Sequence, residues 1–353
     1  MGSDILAALP PSRPGYVPPA DNLVKLNQNE SPYGLAPDER DALLAALRDV
    51  PLHRYPDPGH TEVERAIARR AGVAPDMVVA GNGANELVEL LVRATCDPGD
   101  EVLTVAPTYH LYDRFCAVNR ARLVKARWGG GFAFPREELA RSISARTRLV
   151  LLCRPNNPTG HLYPADEVLA VARAFPGPVA VDEAYCDFAG DTLTGALRAF
   201  PNLVLVRSLS KAYAAAGLRF GYLLAGGPMA EAVRRVQTPY GVGGLTQAAA
   251  LFLVTHPEIM ERHRRAILAE RADLARRLDS VRGLTTHPSA TNFVLVRTDG
   301  SADALDAHLR ARGIVVRNLH WEDRYLRVSV GTAADHARLE AALHAFGTAA
   351  AGA

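Results

Sequence analysis

Cysteine is scarce in this chain and never clustered. Four occur in 353 residues, Cys96, Cys116, Cys153 and Cys186, and none forms a Cys-x-x-Cys pair, so the spacing of a zinc or dithiol site is missing. Reduced core thiols in a cytosolic protein are the expectation. The 11 histidines include no His-Glu-x-x-His, so no metal motif is present. No stretch reaches the roughly 18 apolar residues of a transmembrane helix. Met1-Gly2-Ser3-Asp4 opens without a basic segment or an apolar core, and no secretory leader is expected. Leu6 stands where a myristoylation signal wants Ser or Thr. An excess of one charge is also lacking. The 40 Lys+Arg residues against 38 Asp+Glu leave +2, which gives no basis for a nucleic-acid groove. The Arg-rich stretch from Glu261 to Arg277 mixes both signs at helical spacing and reads as a solvated helix face.

What is there describes a folded two-domain protein. Hydrophobic residues make up 48% and charged residues 22%, which excludes disorder. A chain of 353 residues is too long for one ordinary core and suits two. Residues 1–35 form a Pro-rich arm with little periodicity. From 36 to 245, apolar strands alternate with amphipathic helices, the pattern of an α/β domain with a mostly parallel central sheet flanked by helices. A long charged helix, His256 to Val281, leads into a smaller α/β domain over 246–353. That domain has strands at Asn292 to Val296 and Leu326 to Val330 and a closing helix from Asp335 to Phe346, and it is expected to pack with part of the arm.

Four segments carry chemistry. The first is Arg207-Ser208-Leu209-Ser210-Lys211-Ala212-Tyr213, after the apolar strand Asn202 to Val206. A lysine at the end of a buried strand can lose its charge and act as an amine nucleophile. Ser208, Ser210 and the nearby Arg219 have the donors to hold a phosphate. Together they suggest pyridoxal phosphate linked to Lys211; a solvated turn is the alternative. The second is Ala180-Val181-Asp182-Glu183-Ala184-Tyr185. An ionised Asp182 would keep a pyridine nitrogen protonated, and Tyr185 would donate to the phenolic oxygen. Asp182 as a helix cap and Tyr185 as a buried aromatic are the plainer readings.

The third segment is an apolar strand running into Arg154-Pro155-Asn156-Asn157-Pro158-Thr159-Gly160. Prolines would fix its loop while Asn157 reaches the ring oxygen, or the cluster is only a turn before the helix around Asp166 to Ala174. The fourth is Ala80-Gly81-Asn82-Gly83-Ala84-Asn85-Glu86, a glycine-rich turn opening a helix. Gly83, Ala84 and Asn85 would offer backbone N–H groups to an anion. It is neither Gly-x-Gly-x-x-Gly nor a nucleotide P-loop.

These segments, in this order, resemble the fold-type I pyridoxal-phosphate-dependent aminotransferases. Further matches narrow the resemblance to the histidinol-phosphate aminotransferase family. They include Leu26-Asn27-Gln28-Asn29-Glu30-Ser31-Pro32-Tyr33-Gly34, Arg54-Tyr55-Pro56-Asp57-Pro58, Ala106-Pro107-Thr108-Tyr109, Ala216-Gly217-Leu218-Arg219-Phe220-Gly221-Tyr222 and Leu326-Arg327-Val328-Ser329-Val330-Gly331-Thr332. The resemblance implies that Lys211 carries the cofactor and moves a proton, and that Tyr109 stacks on the ring. It places Ser208, Ser210, Arg219, Gly83, Ala84 and Asn85 at the phosphate. Tyr55 would reach that phosphate from the partner subunit of a homodimer. Arg327 and Arg317 would bind the acidic end of the substrate and Tyr16 would close over it. The Asn157–Pro158 bond is expected to be cis.

The activity so implied is transfer of an amino group from histidinol phosphate to 2-oxoglutarate, in histidine biosynthesis. An aromatic amino-acid aminotransferase is the alternative. A threonine-phosphate decarboxylase fits less well, because its relatives usually carry Thr before the lysine and Pro-Trp where this chain has Pro239-Tyr240. A cofactor-fold sensor of a transcription factor would need a helix-turn-helix domain, for which the 35-residue arm is too short. Two places depart from the family pattern. Arg154 stands where a small polar residue is usual. The stretch Asn318 to Tyr325 finds no match and reads as a variable surface hairpin.

Overall fold

The computed structural model describes residues 22–321 and 323–350. Its larger sheet has seven strands: β2 (Val78–Gly81), β3 (Glu101–Ala106), β4 (Arg122–Arg127), β5 (Thr147–Cys153), β6 (Val179–Asp182), β7 (Leu203–Ser208) and β8 (Gly221–Ala225). They lie in the order β2-β8-β7-β6-β5-β3-β4. Only β8 runs against its neighbours, pairing antiparallel with both β2 and β7. The central strands are apolar on both sides. Along β7, Leu203 and Leu205 belong to one core cluster, Val204 and Val206 to the other. Alternate side chains point to opposite faces, so helices must cover both, as in parallel sheets generally.

The second sheet has five strands in the order β1-β11-β12-β10-β9. They are β1 (Val24–Leu26), β9 (Leu284–Thr286), β10 (Phe293–Thr298), β11 (Ile314–Asn318) and β12 (Tyr325–Ser329). Strand β1 lies in the arm, where the sequence shows little periodicity. Three residues are too few to show a period, and the strand exists because it pairs in parallel with β11. The helix Pro257–Ser280 matches the charged stretch expected there. Its solvent side carries the pairs Glu261–Arg264 and Asp273–Arg277.

Parallel strands bring their carboxyl ends to one edge, where open α/β sheets bind ligands. Asp182 ends β6 and Ser208 ends β7, with Gly221 beside Ser208 in register. The Asn157–Pro158 bond is cis as expected; Ala106–Pro107 and Arg154–Pro155 are cis as well.

Candidate active site

A cleft of about 360 Å3 opens at this edge. It is lined by Ala84, Asn85, Tyr109, Asn157, Asp182, Tyr185, Ser208, Ser210, Lys211, Arg219, Arg317 and Arg327. Nearly every residue singled out in the sequence therefore meets in one place. Tyr55 does not: it is 82% exposed and stacks on Tyr240 with ring centroids 4.7 Å apart, outside the cleft of its own chain. Tyr16 lies outside the described residues.

Lys211 sits three residues past the end of β7. Its Nζ donates to the carbonyls of Gln28 at 3.2 Å and Asn29 at 3.1 Å. Burial, with the positive charge of Arg327, lowers its amine to about 8. Asp182 is buried. One of its oxygens accepts from the Tyr112 hydroxyl at 2.9 Å and the other from the Ala184 N–H at 3.0 Å. Burial raises its carboxyl despite these donors, so this carboxylate gains from a cationic partner. It caps no helix, since the short helix Cys186–Ala189 begins after Tyr185. The Tyr185 hydroxyl accepts from the side-chain amides of Asn29 at 3.0 Å and Asn157 at 3.3 Å. Its own proton is left to donate into the cleft.

The anion cradle forms where two loops and a helix start converge. The helix Gly83–Thr95 opens beside Arg219, so its first N–H groups and its dipole favour negative charge. A Cβ on Gly83 would stand 2.7 Å from the Arg219 guanidinium, and Gly83 has φ +81°. Only glycine fits there at no cost. A Cβ on Gly221 would meet the Ala84 nitrogen at 2.6 Å, which lets the two loops close up. Arg219 itself takes φ +53°, rare for a side-chain-bearing residue. It donates to Ser210 Oγ at 3.4 Å and to the Ala216 carbonyl at 3.2 Å. Ser208 and Ser210 are both buried, not exposed in a solvated turn.

At the opposite wall Arg317 and Arg327 are direct partners across β11 and β12. Arg327 donates to Asn157 Oδ1 and to the Asn27 carbonyl, each at 2.7 Å, and lies over the Phe293 ring. Burial, aided by Arg317, lowers it to about 10, so it stays charged at neutral pH. Its Nε is buried without a partner. Arg317 has no hydrogen-bond or ion-pair partner among the described residues.

Against these observations the comparisons are specific. The family model described as Aminotransferase class I and II matches residues 21–346. The chain belongs to the class I and II aminotransferases, within the histidinol-phosphate aminotransferase family. A histidinol-phosphate aminotransferase of Thermococcus gammatolerans is 36% identical over 309 residues, covering 87% of each chain. Another, from Chromobacterium violaceum, is 35% identical over 340 residues and 94% of each chain. The histidinol-phosphate aminotransferase of Sinorhizobium meliloti, solved in complex with pyridoxal-5'-phosphate, has a TM-score of 0.82 at 29% identity, covering 91% of this chain and 90% of its own. The protein is a pyridoxal-phosphate-dependent aminotransferase, and the cleft fits that cofactor. It has an amine of lowered basicity, a buried carboxylate in want of a cation, and an anion cradle that a Cβ at Gly83 would fill.

Some site residues were not assigned a role from sequence. Tyr112, fully buried, orients Asp182; its spacing from Tyr109 was the available signal. Asn29 joins the lysine to the second sheet. Its carbonyl accepts from Lys211 and Asn292, its amide donates to Tyr185, and its Oδ1 accepts from Ser329 at 2.9 Å. Arg154, the departure from family pattern, is structural: it is buried and holds Asp191 with both terminal nitrogens and the Tyr163 carbonyl with Nε. Away from the cleft, Glu270, Asp273 and His336 converge with ligand-like spacing. His336 Nε2 accepts the Gly331 N–H at 3.0 Å, so the ring proton sits on Nδ1, facing the carboxylates. That tautomer opposes metal binding.

Proposed function

We propose that the enzyme transfers the amino group of histidinol phosphate to 2-oxoglutarate. The single observation that carries this reading is the Arg317–Arg327 pair. A carboxylate needs one bidentate guanidinium, whereas a phosphate monoester brings nearly two negative charges at pH 7 and is better matched by two. Relatives named for that substrate, similar over most of the chain, support it.

When bound, pyridoxal phosphate supplies an electron sink for the charge left as a proton leaves the substrate carbon. The chain's own residues do the rest. The Lys211 amine would hold the cofactor and would take and return that proton. Asp182, oriented by Tyr112, would keep a proton on the ring nitrogen. Tyr185 and Asn157 would bond the ring oxygen, and Tyr109 would cover the ring face. Ser208, Ser210, Arg219 and the helix start at Gly83, Ala84 and Asn85 would hold the cofactor phosphate.

The working unit in this reading is a homodimer, with Tyr55 entering the partner's cleft. Support comes from an apolar face left open on one chain. The helix Pro37–Leu47 buries none of its residues, and Leu44, Leu52, Tyr55, Tyr240 and Leu245 are all exposed. That helix packs beside the helix Gly244–Thr255, and Tyr55 stacks on Tyr240, so these residues share one surface. Each chain divides at about residue 245 into a large and a small domain. The cytosol is the proposed location, given four free cysteines and no described helix long and apolar enough to cross a membrane.

A donor panel with 2-oxoglutarate as acceptor tests the substrate assignment. Histidinol phosphate is expected to give the highest kcat/KM. A preference for phenylalanine or tyrosine would replace it with the aromatic alternative.

A further inference from the structure

Asn29 is buried and takes φ +54°, a left-handed backbone that non-glycine residues seldom enter and asparagine enters most readily. Every polar atom of this residue is engaged. Its carbonyl accepts from Lys211 Nζ at 3.1 Å and from the Asn292 amide at 2.9 Å. Its N–H donates to Ser329 Oγ at 2.8 Å, and its Oδ1 accepts from the same hydroxyl at 2.9 Å. Its Nδ2 donates to the Tyr185 hydroxyl at 3.0 Å. Asn292 stands just before β10 and Ser329 ends β12, so one residue of the arm joins Lys211 and Tyr185 to the second sheet.

The direction of each proton along this path follows from what the next group is able to do. A serine hydroxyl has one proton. Ser329 Oγ already accepts the Asn29 N–H, so its own proton goes to Oδ1, and this fixes which end of the amide faces which way. Nδ2 is left facing Tyr185 with only hydrogens to offer. Asn157 meets the same phenol at 3.3 Å, and its amide is fixed as well, because Arg327 donates to Asn157 Oδ1 at 2.7 Å. Tyr185 therefore receives two amide donors, and its hydroxyl has no acceptor among the described residues.

We propose that Ser329 and Asn29 form a positioning relay that aims the Tyr185 hydroxyl at the cofactor's ring oxygen. Both act through Tyr185. With the amide turned over, Oδ1 would face the phenol, accept its proton and take the donor away from the cleft. Asn29 thus contributes more than a carbonyl for Lys211. Ser329 lies two residues past Arg327, on the same face of β12, so the strand that presents the substrate arginine also sets this proton. The inference rests on the reading that Tyr185 bonds the ring oxygen. It goes beyond it by giving Asn29 and Ser329 a part in how readily that oxygen holds negative charge.

The test follows the visible absorbance of the cofactor-loaded protein against pH. A hydrogen bond donated to the ring oxygen favours its anionic form and lowers the midpoint of the absorbance change. Tyr185→Phe removes the donor and should raise the midpoint by about one unit or more. Asn29→Gly keeps the left-handed backbone and the carbonyl facing Lys211 but removes the amide. Ser329→Ala releases the amide to turn. Each should raise the midpoint by about half a unit, while Ser329→Thr, which keeps the hydroxyl, should hold the wild-type value. None of these substitutions alters charge, so the shift has no direct Coulombic source. On a Tyr185→Phe background Asn29→Gly should add nothing, because its effect runs through the phenol. A midpoint moved by Tyr185→Phe but by neither Asn29→Gly nor Ser329→Ala would overturn the relay alone. So would an Asn29→Gly shift that persists in full on the Tyr185→Phe background. A midpoint that Tyr185→Phe leaves in place would overturn the ring-oxygen reading together with the relay. In cofactor-free Asn29→Gly the Lys211 amine should still titrate near 8, since its partners are main-chain carbonyls. An equal displacement of both midpoints would trace the shift to the lysine and overturn the proposal.

Discussion

Lys211 is one of three lysines in the chain. The other two have acidic partners, Lys25 with Glu30 at 2.8 Å and Lys125 with Asp113 at 2.6 Å. Lys211 has carbonyl partners and no ion pair among the described residues, and burial lowers its amine to about 8 although Glu30 and Asp182 act the other way. Roughly a quarter of it is then unprotonated at pH 7.5, against about one part in a thousand for an ordinary lysine. In cofactor-free protein, amine acylation followed by peptide mass analysis should show Lys211 reacting with a midpoint near pH 8. A midpoint above about 9.5 would contradict the desolvated site. The sign for stability follows. Between about 8 and the ordinary lysine value of about 10.4 the unfolded chain binds more protons at this position than the folded one, so its contribution to stability rises with pH across that window. Asp182→Asn tests the other end of the ring. An amide cannot keep the ring nitrogen protonated, so turnover should fall by about a thousandfold, roughly 4 kcal/mol in the barrier, while melting changes little. Activity within tenfold of wild type would reduce Asp182 to a structural role.

At the scale of elements, positions result from pairing. Arg317 and Arg327 face the same cleft because β11 and β12 run antiparallel in register, and partners across such a pair share a face. Arg317→Ala should cost about 1.5–3 kcal/mol in kcat/KM for histidinol phosphate and much less for glutamate; equal losses for all donors would deny it a phosphate role. The helix start at Gly83 gives a second test. Gly83→Ala forces a left-handed alanine and pushes a methyl against Arg219, so cofactor affinity should fall at least about tenfold. An unchanged dissociation constant, read by cofactor absorbance, would remove Arg219 and the helix start from the phosphate cradle. These elements were legible to different degrees. Strand ends carrying Asp182, Ser208 and Asn157 could be read, because apolar runs bounded by breakers mark the sheet and chemistry collects at its carboxyl edge. Strand β1 could not, since three residues show no period and pair only with a strand some 290 positions away. The roles of Tyr112 and Asn29 depend on partners distant in sequence.

For the molecule as a whole, the open face around Leu44, Leu52, Tyr55 and Tyr240 sets the expected assembly. Sedimentation should give a dimer. Mixing inactive Tyr55→Ala and Lys211→Ala chains should restore activity, because one heterodimer cleft keeps both residues. No recovery, with subunit exchange demonstrated, would mean that each chain completes its own site. Beneath the assembly and the choice of substrate lies one claim, that Lys211 at the end of β7 holds the cofactor. The direct measurement is borohydride reduction of the pyridoxal-phosphate-loaded protein, followed by digestion and mass mapping of the modified peptide. With three lysines in the chain the outcome is unambiguous. The account predicts the pyridoxyl group on Lys211 alone and its loss in Lys211→Ala. A stable adduct on Lys25 or Lys125 instead, or one that persists in Lys211→Ala, would contradict it.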